Sequence, residues 1–451
     1  MGAYYFGVWS FLVLITSIGG SCNWGIGNAL AVLLVQHKED AEKCSNYIFN
    51  SSVLLLLTGI PPLLILGYDR IFGIPIFAKY QLGNFIYAVT ILILLLYLCN
   101  FFINIFRVRN RIWEITIQQT LWPVVTFFVA FFASGRTLLN ILTIAYLASM
   151  VVSVYVFFHA KQIKMQGRFS LDVSREIFQK GIYLFLYNTG FVLIVSTTKL
   201  LISKFYKVEE FGYFAFAFNL AQGVMYAIDC FIFLLFPKMI DMLKGNDMEK
   251  IRSGIQLLRK NYILPLHLLF YCILIISPGF FLLFPQFNSS FKSFILILFT
   301  LLIYSQCFGY NSYLLAQNRE KDSTWIVFGA FCMNLIVTGS LILAFRCSYD
   351  IAVLGTLMTY ALYSVTVNCY ALYRMGERNW KVYLQENFPV YLMMFYIGTL
   401  VLVLFVNVSL GVLSGCVSAL LLLFILFHIR QLKELIRNAE KLIKNDRLMD
   451  V

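Results

Sequence analysis

Apolar residues dominate this chain in long, closely spaced runs, broken only by short polar gaps. Crossing a hydrocarbon core of about 30 Å takes about 20 apolar residues in a helix. Runs of that length fall at about 6–35, 48–68, 84–106, 114–133, 138–160, 180–203, 211–237, 262–285, 293–316, 323–346, 351–374, 388–407 and 410–429. The pattern predicts thirteen membrane-spanning helices and no soluble domain. The first run is unusually long and contains Ser21-Cys22-Asn23-Trp24-Gly25-Ile26-Gly27-Asn28, a polar, glycine-bearing stretch that predicts a broken helix. Irregular backbone at that depth needs protein or water around it.

Basic residues alternate strongly between successive gaps. Of the 35 Lys and Arg residues, 27 fall in the gaps after runs 1, 3, 5, 7, 9 and 11 and in the C-terminal tail. Such residues accumulate in short cytoplasmic loops, so the C-terminus is expected in the cytoplasm. Met1 is then expected on the outer side with no basic residue before Lys38, and nothing in the opening resembles a signal peptide. The expectation is a first helix missing upstream and fourteen helices in the complete protein.

An internal match appears at an offset of 205: Phe6-Gly7 with Phe11 against Phe211-Gly212 with Phe216. About 35 residues later, Asp40-Ala41-Glu42-Lys43 matches Asp247-Met248-Glu249-Lys250. Parallel repeats of this kind build many transporters; coincidence combined with helix capping is the alternative. The organisation predicted is an N-terminal lobe over 1–160, a cytoplasmic linker over 161–179 and a C-terminal lobe over 180–374. Two appended helices over 388–429 and an amphipathic cytoplasmic tail over 430–451 follow. The fold class is all-α and polytopic, with two pseudo-symmetric six-helix lobes.

Composition agrees: 60% of the residues are hydrophobic, 13% are charged, and mean hydropathy is +0.80. The ten cysteines include no C-x-x-C pair, and the four histidines include no pair at metal spacing. The formal charge of +13 follows from topology, so nucleic acid is not an expected partner. The tail sets Leu432, Leu435, Ile436, Leu442 and Ile443 on one helical face and Lys433, Arg437, Lys441 and Lys444 elsewhere, a pattern suited to an anionic leaflet.

The stretch Gly2-Ala3-Tyr4-Tyr5-Phe6-Gly7-Val8-Trp9-Ser10, followed by Asn23-Trp24-Gly25-Ile26-Gly27-Asn28-Ala29-Leu30, resembles the second helix of bacterial polysaccharide flippases. These are of the O-antigen and capsule (Wzx) type. That family carries Leu-Gly-x-x-x-Tyr-Gly-x-Trp, then Asp-x-Gly-x-Gly-x-Ala-Leu; Asn23 stands here for the Asp. Thr198-Lys199-Leu200-Leu201-Ile202, followed by Phe211-Gly212-Tyr213, is similar to the family's Asp-Arg-x-x-Ile and Gly-x-Tyr, with Thr198 in place of the acid. The resemblance runs from end to end and is itself consistent with a missing first helix. It implies membership of the superfamily that includes lipid II flippases and multidrug and toxin extruders. The function implied is transfer of an undecaprenyl-pyrophosphate-linked oligosaccharide to the outer leaflet, with a polysaccharide polymerase and chain-length regulator as further partners and no enzymatic step.

Charges within apolar runs cost about 2.5–3.5 kcal/mol each on insertion scales and so mark candidate sites. Lys199, basic also in the resembling family, either faces a cavity and binds pyrophosphate or an acidic sugar, or snorkels to the outer interface. Asp229 either carries a proton or sodium, coupling transport to a gradient, or pairs with a neighbour for packing. The amides Asn23, Asn28, Gln118, Gln119, Asn188, Asn219, Gln222, Gln306 and Asn334 line a hydrated cavity or bond between helices. His267 reads as a satisfied structural histidine. No cofactor is implied; a proton or sodium gradient is the energy source the residues suggest. A drug extruder of the same fold is the main alternative. A membrane polymerase is disfavoured by the short outer gaps, the longest being 69–83, and an acyltransferase by the lack of a partner for His267.

Overall fold

The computed structural model describes residues 2–444 apart from 38, 84, 110, 133, 160–166, 244–246, 318, 388–396, 399–400 and 402–409. Its described residues form helices and connecting turns, with no strand. In chain order these are α1 (Ala3–Ser21), α2 (Ile26–Gln36), α3 (Ala41–Thr58), α4 (Ile60–Phe72), α5 (Pro75–Lys79), α6 (Phe85–Val108), α7 (Ile112–Val129) and α8 (Gly135–His159). Then come α9 (Leu171–Phe205), α10 (Val208–Leu243), α11 (Met248–Leu283), α12 (Phe291–Tyr304), α13 (Tyr310–Ala316), α14 (Glu320–Leu343), α15 (Tyr349–Arg374), α16 (Trp380–Asn387) and α17 (Leu410–Lys444). Among the described residues, nine helices are long and apolar enough to cross a membrane. The appended run 388–407 lies almost wholly outside the described residues, as do the tail side chains beyond 433.

The long first run is broken as its sequence predicts, between α1 and α2. Two further breaks were not expected. The run 48–68 divides at Gly59, where Pro61 and Pro62 open α4 without backbone N–H groups. The run 293–316 divides at a 3-10 turn, Ser305–Cys307, followed by Gly309 at φ +87°. Within the segment expected as linker, α9 starts at Leu171, capped by the Ser170 hydroxyl, which accepts the Val173 N–H at 3.5 Å.

Two compact units result, Met1–Ala215 with Glu320–Ala344, and Phe216–Arg319 with Phe345–Val451. In the first, α6 is the central helix. Its Leu92, Cys99, Phe102, Ile105 and Phe106 are buried with Leu30 and Leu33 of α2 and Phe157 of α8. In the second, α12 is buried nearly all round, from Ser293 to Thr300, and packs on α15. A helix apolar on every side belongs at the centre of a bundle.

The matched residues of the repeat meet in the first unit. A Cβ added to Gly7 would strike the carbonyl of Val208, and one added to Gly212 would strike the carbonyl of Ala3. The relation is reciprocal, each contact linking a residue to the 205-offset counterpart of the other's partner. Glycine is what lets the two backbones approach this closely. The second match is equally concrete: the Asp40 carboxylate accepts the Lys43 N–H at 3.0 Å, and the Asp247 carboxylate accepts the Lys250 N–H at 3.2 Å.

Candidate functional site

The α1–α2 break is built by short-range polar contacts. Asn23 Oδ1 accepts the Gly25 N–H at 3.0 Å, closing a tight turn, while Trp24 and Gly25 take φ of +53° and +70°. Tyr97 of α6 donates its hydroxyl to the Cys22 carbonyl at 3.3 Å, satisfying an acceptor that the broken helix leaves without a partner. Across the break lies α9. Any Cβ on Gly25 would clash with the Gly181 carbonyl, and a Cβ on Gly181 would sit 2.9 Å from the Gly25 carbonyl. The Trp24 ring lies 5.9 Å from that of Phe185 and 6.3 Å from that of Phe178. Asn23 and Asn28 are half-buried here.

Further along α9, Ser196, Thr197 and Thr198 are buried. Asn334 of α14, fully buried, donates to the Ile194 carbonyl at 2.7 Å and to the Thr198 hydroxyl at 3.1 Å. Its own oxygen accepts from Thr338 at 3.0 Å. The residue that replaces the acid of the resembling pattern thus ties two helices together.

Lys199 follows, half-buried, six residues before the end of α9. At that end the Lys79 ammonium donates to the carbonyls of Ser203, at 2.6 Å, Lys204 and Tyr206, and the Tyr80 hydroxyl donates to Ser203 at 3.1 Å. A cation on terminal carbonyls is favoured by the helix dipole. Burial nevertheless lowers the pKa of the Lys79 ammonium, an effect that nearby Glu210 opposes.

Within the first unit the expected residues stand apart along α9. Lys199 stands eighteen residues beyond Gly181, about 27 Å along α9 at 1.5 Å per residue. Gln118 of α7 is buried in the first unit, with Oε1 lacking a hydrogen-bond partner, and Gln119 is exposed. Asn219, exposed, and Gln222, half-buried, belong to the part of α10 in the second unit. Asp229 falls within α10, but its side chain and that of Asn188 lie outside the described residues.

In the second unit the 3-10 break is held by Arg259, which donates to the Gln306 carbonyl and lies 4.7 Å over the Tyr310 ring. Asn368 also donates to the Gln306 carbonyl, at 3.3 Å. His267 is fully buried, its Nδ1 2.7 Å from the Ile263 carbonyl and its ring stacked on Phe424. A cavity of about 580 Å³ opens in the first unit beside Gln81, Phe85, Arg136, Asn140 and Thr143. None of the expected residues lines it. The supports Lys79, Tyr97 and Arg259 were missed in the sequence because loop and interface roles leave no spacing; Trp24 carried a visible signal, a bulky residue between two turn formers.

An all-helical, polytopic bundle with broken helices and buried polar ties is the architecture of a membrane transporter fold. Solved structures carry it. An inward-facing multidrug resistance MATE family transporter of the MOP superfamily is 12% identical, with a TM-score of 0.69 over 83% of this chain and 91% of that one. The lipid II flippase MurJ in an inward closed conformation is 13% identical, with a TM-score of 0.61 over 95% of this chain and 93% of that one. A MOP superfamily transporter from Pyrococcus furiosus Vc1 (DSM3638) is also 13% identical, with a TM-score of 0.56 over 83% of this chain and 88% of that one. No curated protein matches by sequence. The polysaccharide biosynthesis protein family matches residues 3–258, and the chain belongs to that family.

Proposed function

We propose that the chain is a flippase that carries an undecaprenyl-pyrophosphate-linked oligosaccharide from the cytoplasmic to the outer leaflet of the bacterial plasma membrane. The product serves O-antigen, capsule or exopolysaccharide biosynthesis. The observation that carries this reading is membership of the polysaccharide biosynthesis protein family in a chain whose fold matches a lipid II flippase over 95% of its length. Alternating access comes from two lobes, 1–160 and 180–374, with the C-terminus cytoplasmic. A polysaccharide polymerase and a chain-length regulator act on or beside the product.

Lys199, a compact point charge on a half-buried stretch of α9, binds the pyrophosphate or an acidic sugar. Asp229 couples transport to a proton or sodium gradient. Replacing Asp229 by Asn abolishes flipping on this reading, and full complementation by that variant overturns the coupling role.

Deletion of the gene with plasmid complementation tests the whole proposal. The expected result is undecaprenyl-linked oligosaccharide trapped on the cytoplasmic side, cleared by the wild-type gene. The MATE likeness supports a second reading, cation-coupled export of small molecules. Absence of trapped oligosaccharide, with drug sensitivity instead, would favour it.

A further inference from the structure

Trp24 is built in a way that helix packing does not explain. Its φ of +53° lies in the left-handed region, which Asn and Gly adopt readily and a bulky side chain does not. Backbone outliers of this kind persist where the surroundings over-determine them, and they gather at binding sites. Here Gly25, pressed on Gly181, and Asn23, bonded to the Gly25 N–H, fix the turn on either side. The ring itself is not used to fill a core, since Trp24 is 42% exposed.

Its neighbours extend it into a surface. Phe185 lies 5.9 Å away at 25° to the indole, and Phe178, 43% exposed, lies 6.3 Å away at 36°. Half-buried Asn28, in the first turn of α2, follows Trp24 by four residues. At the far end of α2, Gln36 accepts from the Lys180 ammonium at 2.8 Å. An exposed indole with one stacked and one tilted aromatic neighbour, and an amide four residues on, make a recognisable combination. A pyranose ring presents weakly positive C–H groups on its face and hydroxyls at its rim, and an aromatic face carries the complementary negative potential. Sites that combine apolar area with a few placed polar groups are the usual design for small-molecule recognition.

We propose that the α1–α2 break is a sugar-binding platform, with the exposed indole of Trp24 stacking on the glycan of the lipid-linked substrate and Phe185 and Phe178 extending the surface. The inference rests on the flippase reading above and names the residue by which that substrate's sugar is held. The platform stands about 27 Å along α9 from Lys199, so sugar and pyrophosphate contacts fall well apart on that helix. The other use of an exposed tryptophan in a membrane protein is as an interfacial anchor. An anchor has no need of a left-handed backbone.

The experiment uses full-length protein in nanodiscs, with binding read by native mass spectrometry. The two probes are lipid-linked oligosaccharide extracted from the deletion strain and undecaprenyl pyrophosphate bearing no sugar. Trp24→Asn relieves the backbone while removing the ring. It is expected to melt at or above the wild-type temperature yet bind the glycan-bearing lipid about tenfold more weakly, the loss of one stacking contact. Binding of the sugar-free lipid is expected to stay unchanged, and Trp24→Phe to restore glycan binding to within about twofold. Wild-type affinity of Trp24→Asn for the glycan-bearing lipid overturns the platform and leaves the flippase reading standing. Equal loss for both lipids also overturns it, in favour of an anchor. Wild-type protein that binds the two probes alike overturns the platform alone, and wild-type protein that binds neither overturns platform and flippase reading together.

Discussion

The two copies of the repeat open alike and then part company. Helix α1 and helix α10 each begin with a Phe-Gly pair, and their glycines cross each other in reciprocal contact. Yet α1 stops after 19 residues at Asn23-Trp24-Gly25, whereas α10 continues unbroken for 36. At the offset of 205, the counterpart of Trp24 is Asp229. Each copy therefore places its least expected residue at the same register, an aromatic ring on a turn in one and an acid on a continuous helix in the other. The crossing is what the repeat shares, and the chemistry beyond it is where the copies differ.

The sharpest way to break this comparison is at the crossing. Gly7→Leu and Gly212→Leu each force a side chain into a facing backbone carbonyl that has no room to give. Both variants are expected to lose most folded, monodisperse protein by detergent-phase size exclusion, and to similar extents because the contacts are reciprocal. A large disparity between the two would mean that the crossing is not pseudo-symmetric.

The next effect separates the copies. Gly25→Ala faces both a left-handed backbone and the Gly181 carbonyl, and is expected to lower stability by about 1–3 kcal/mol. Gly223→Ala on α10 meets nothing within 4 Å and should raise stability by about 0.5–1 kcal/mol, the ordinary gain of Ala over Gly in a helix. Thermal melts of the two variants in detergent check the contrast. Similar shifts of the same sign would show that the α1–α2 break is not specified by its glycine.

The crossing also has a brace. Phe11 stacks on Tyr80 at 4.0 Å, Phe211 meets both rings, and the adjacent Lys79 holds the end of α9. Lys79→Met keeps most of the apolar stem and removes the cation from the terminal carbonyls. A loss of about 0.5–1 kcal/mol is expected in the same melts, less than for Gly25→Ala.

Most of the helices were legible because apolar runs of membrane length are a strong signal, and the Ser21 to Asn28 interruption foretold its break. Hydropathy alone is blind to the breaks at Gly59 and at Ser305, since a hydrophobic run reads alike whether its helix is continuous or turned; Gly59-Ile60-Pro61-Pro62 carries the first break as a Gly and Pro signal. The offset of 205 was visible as sequence, but the meeting of Gly7 with Gly212 was not. Spacing says that two segments match and is silent on whether they touch. Among the amides, residue type alone could not separate Asn334, fully buried between two helices, from Asn219, which is exposed. Only packing distinguishes a tie from a surface group.

The smallest effect tests the second matched pair. Asp40 and Asp247 cap α3 and α11 in the same manner, each also lying near the lysine three residues on, at 3.6 and 3.3 Å. The Lys43 N–H bonded to the Asp40 carboxylate, with help from the Lys43 charge, holds its pKa below the ordinary value of 3.8. The folded chain therefore favours the ionised form more than the unfolded chain does. That preference stabilises the fold above the unfolded value and is lost as pH falls through the lower, folded one. Asn caps a helix about as well as Asp but carries no charge to titrate. Melting temperatures of wild type and Asp40→Asn, followed from pH 6 to pH 3, are thus expected to converge at the acid end, wild type losing more. A constant difference across that range would mean that the Asp40 cap works by its hydrogen bond alone, without its charge.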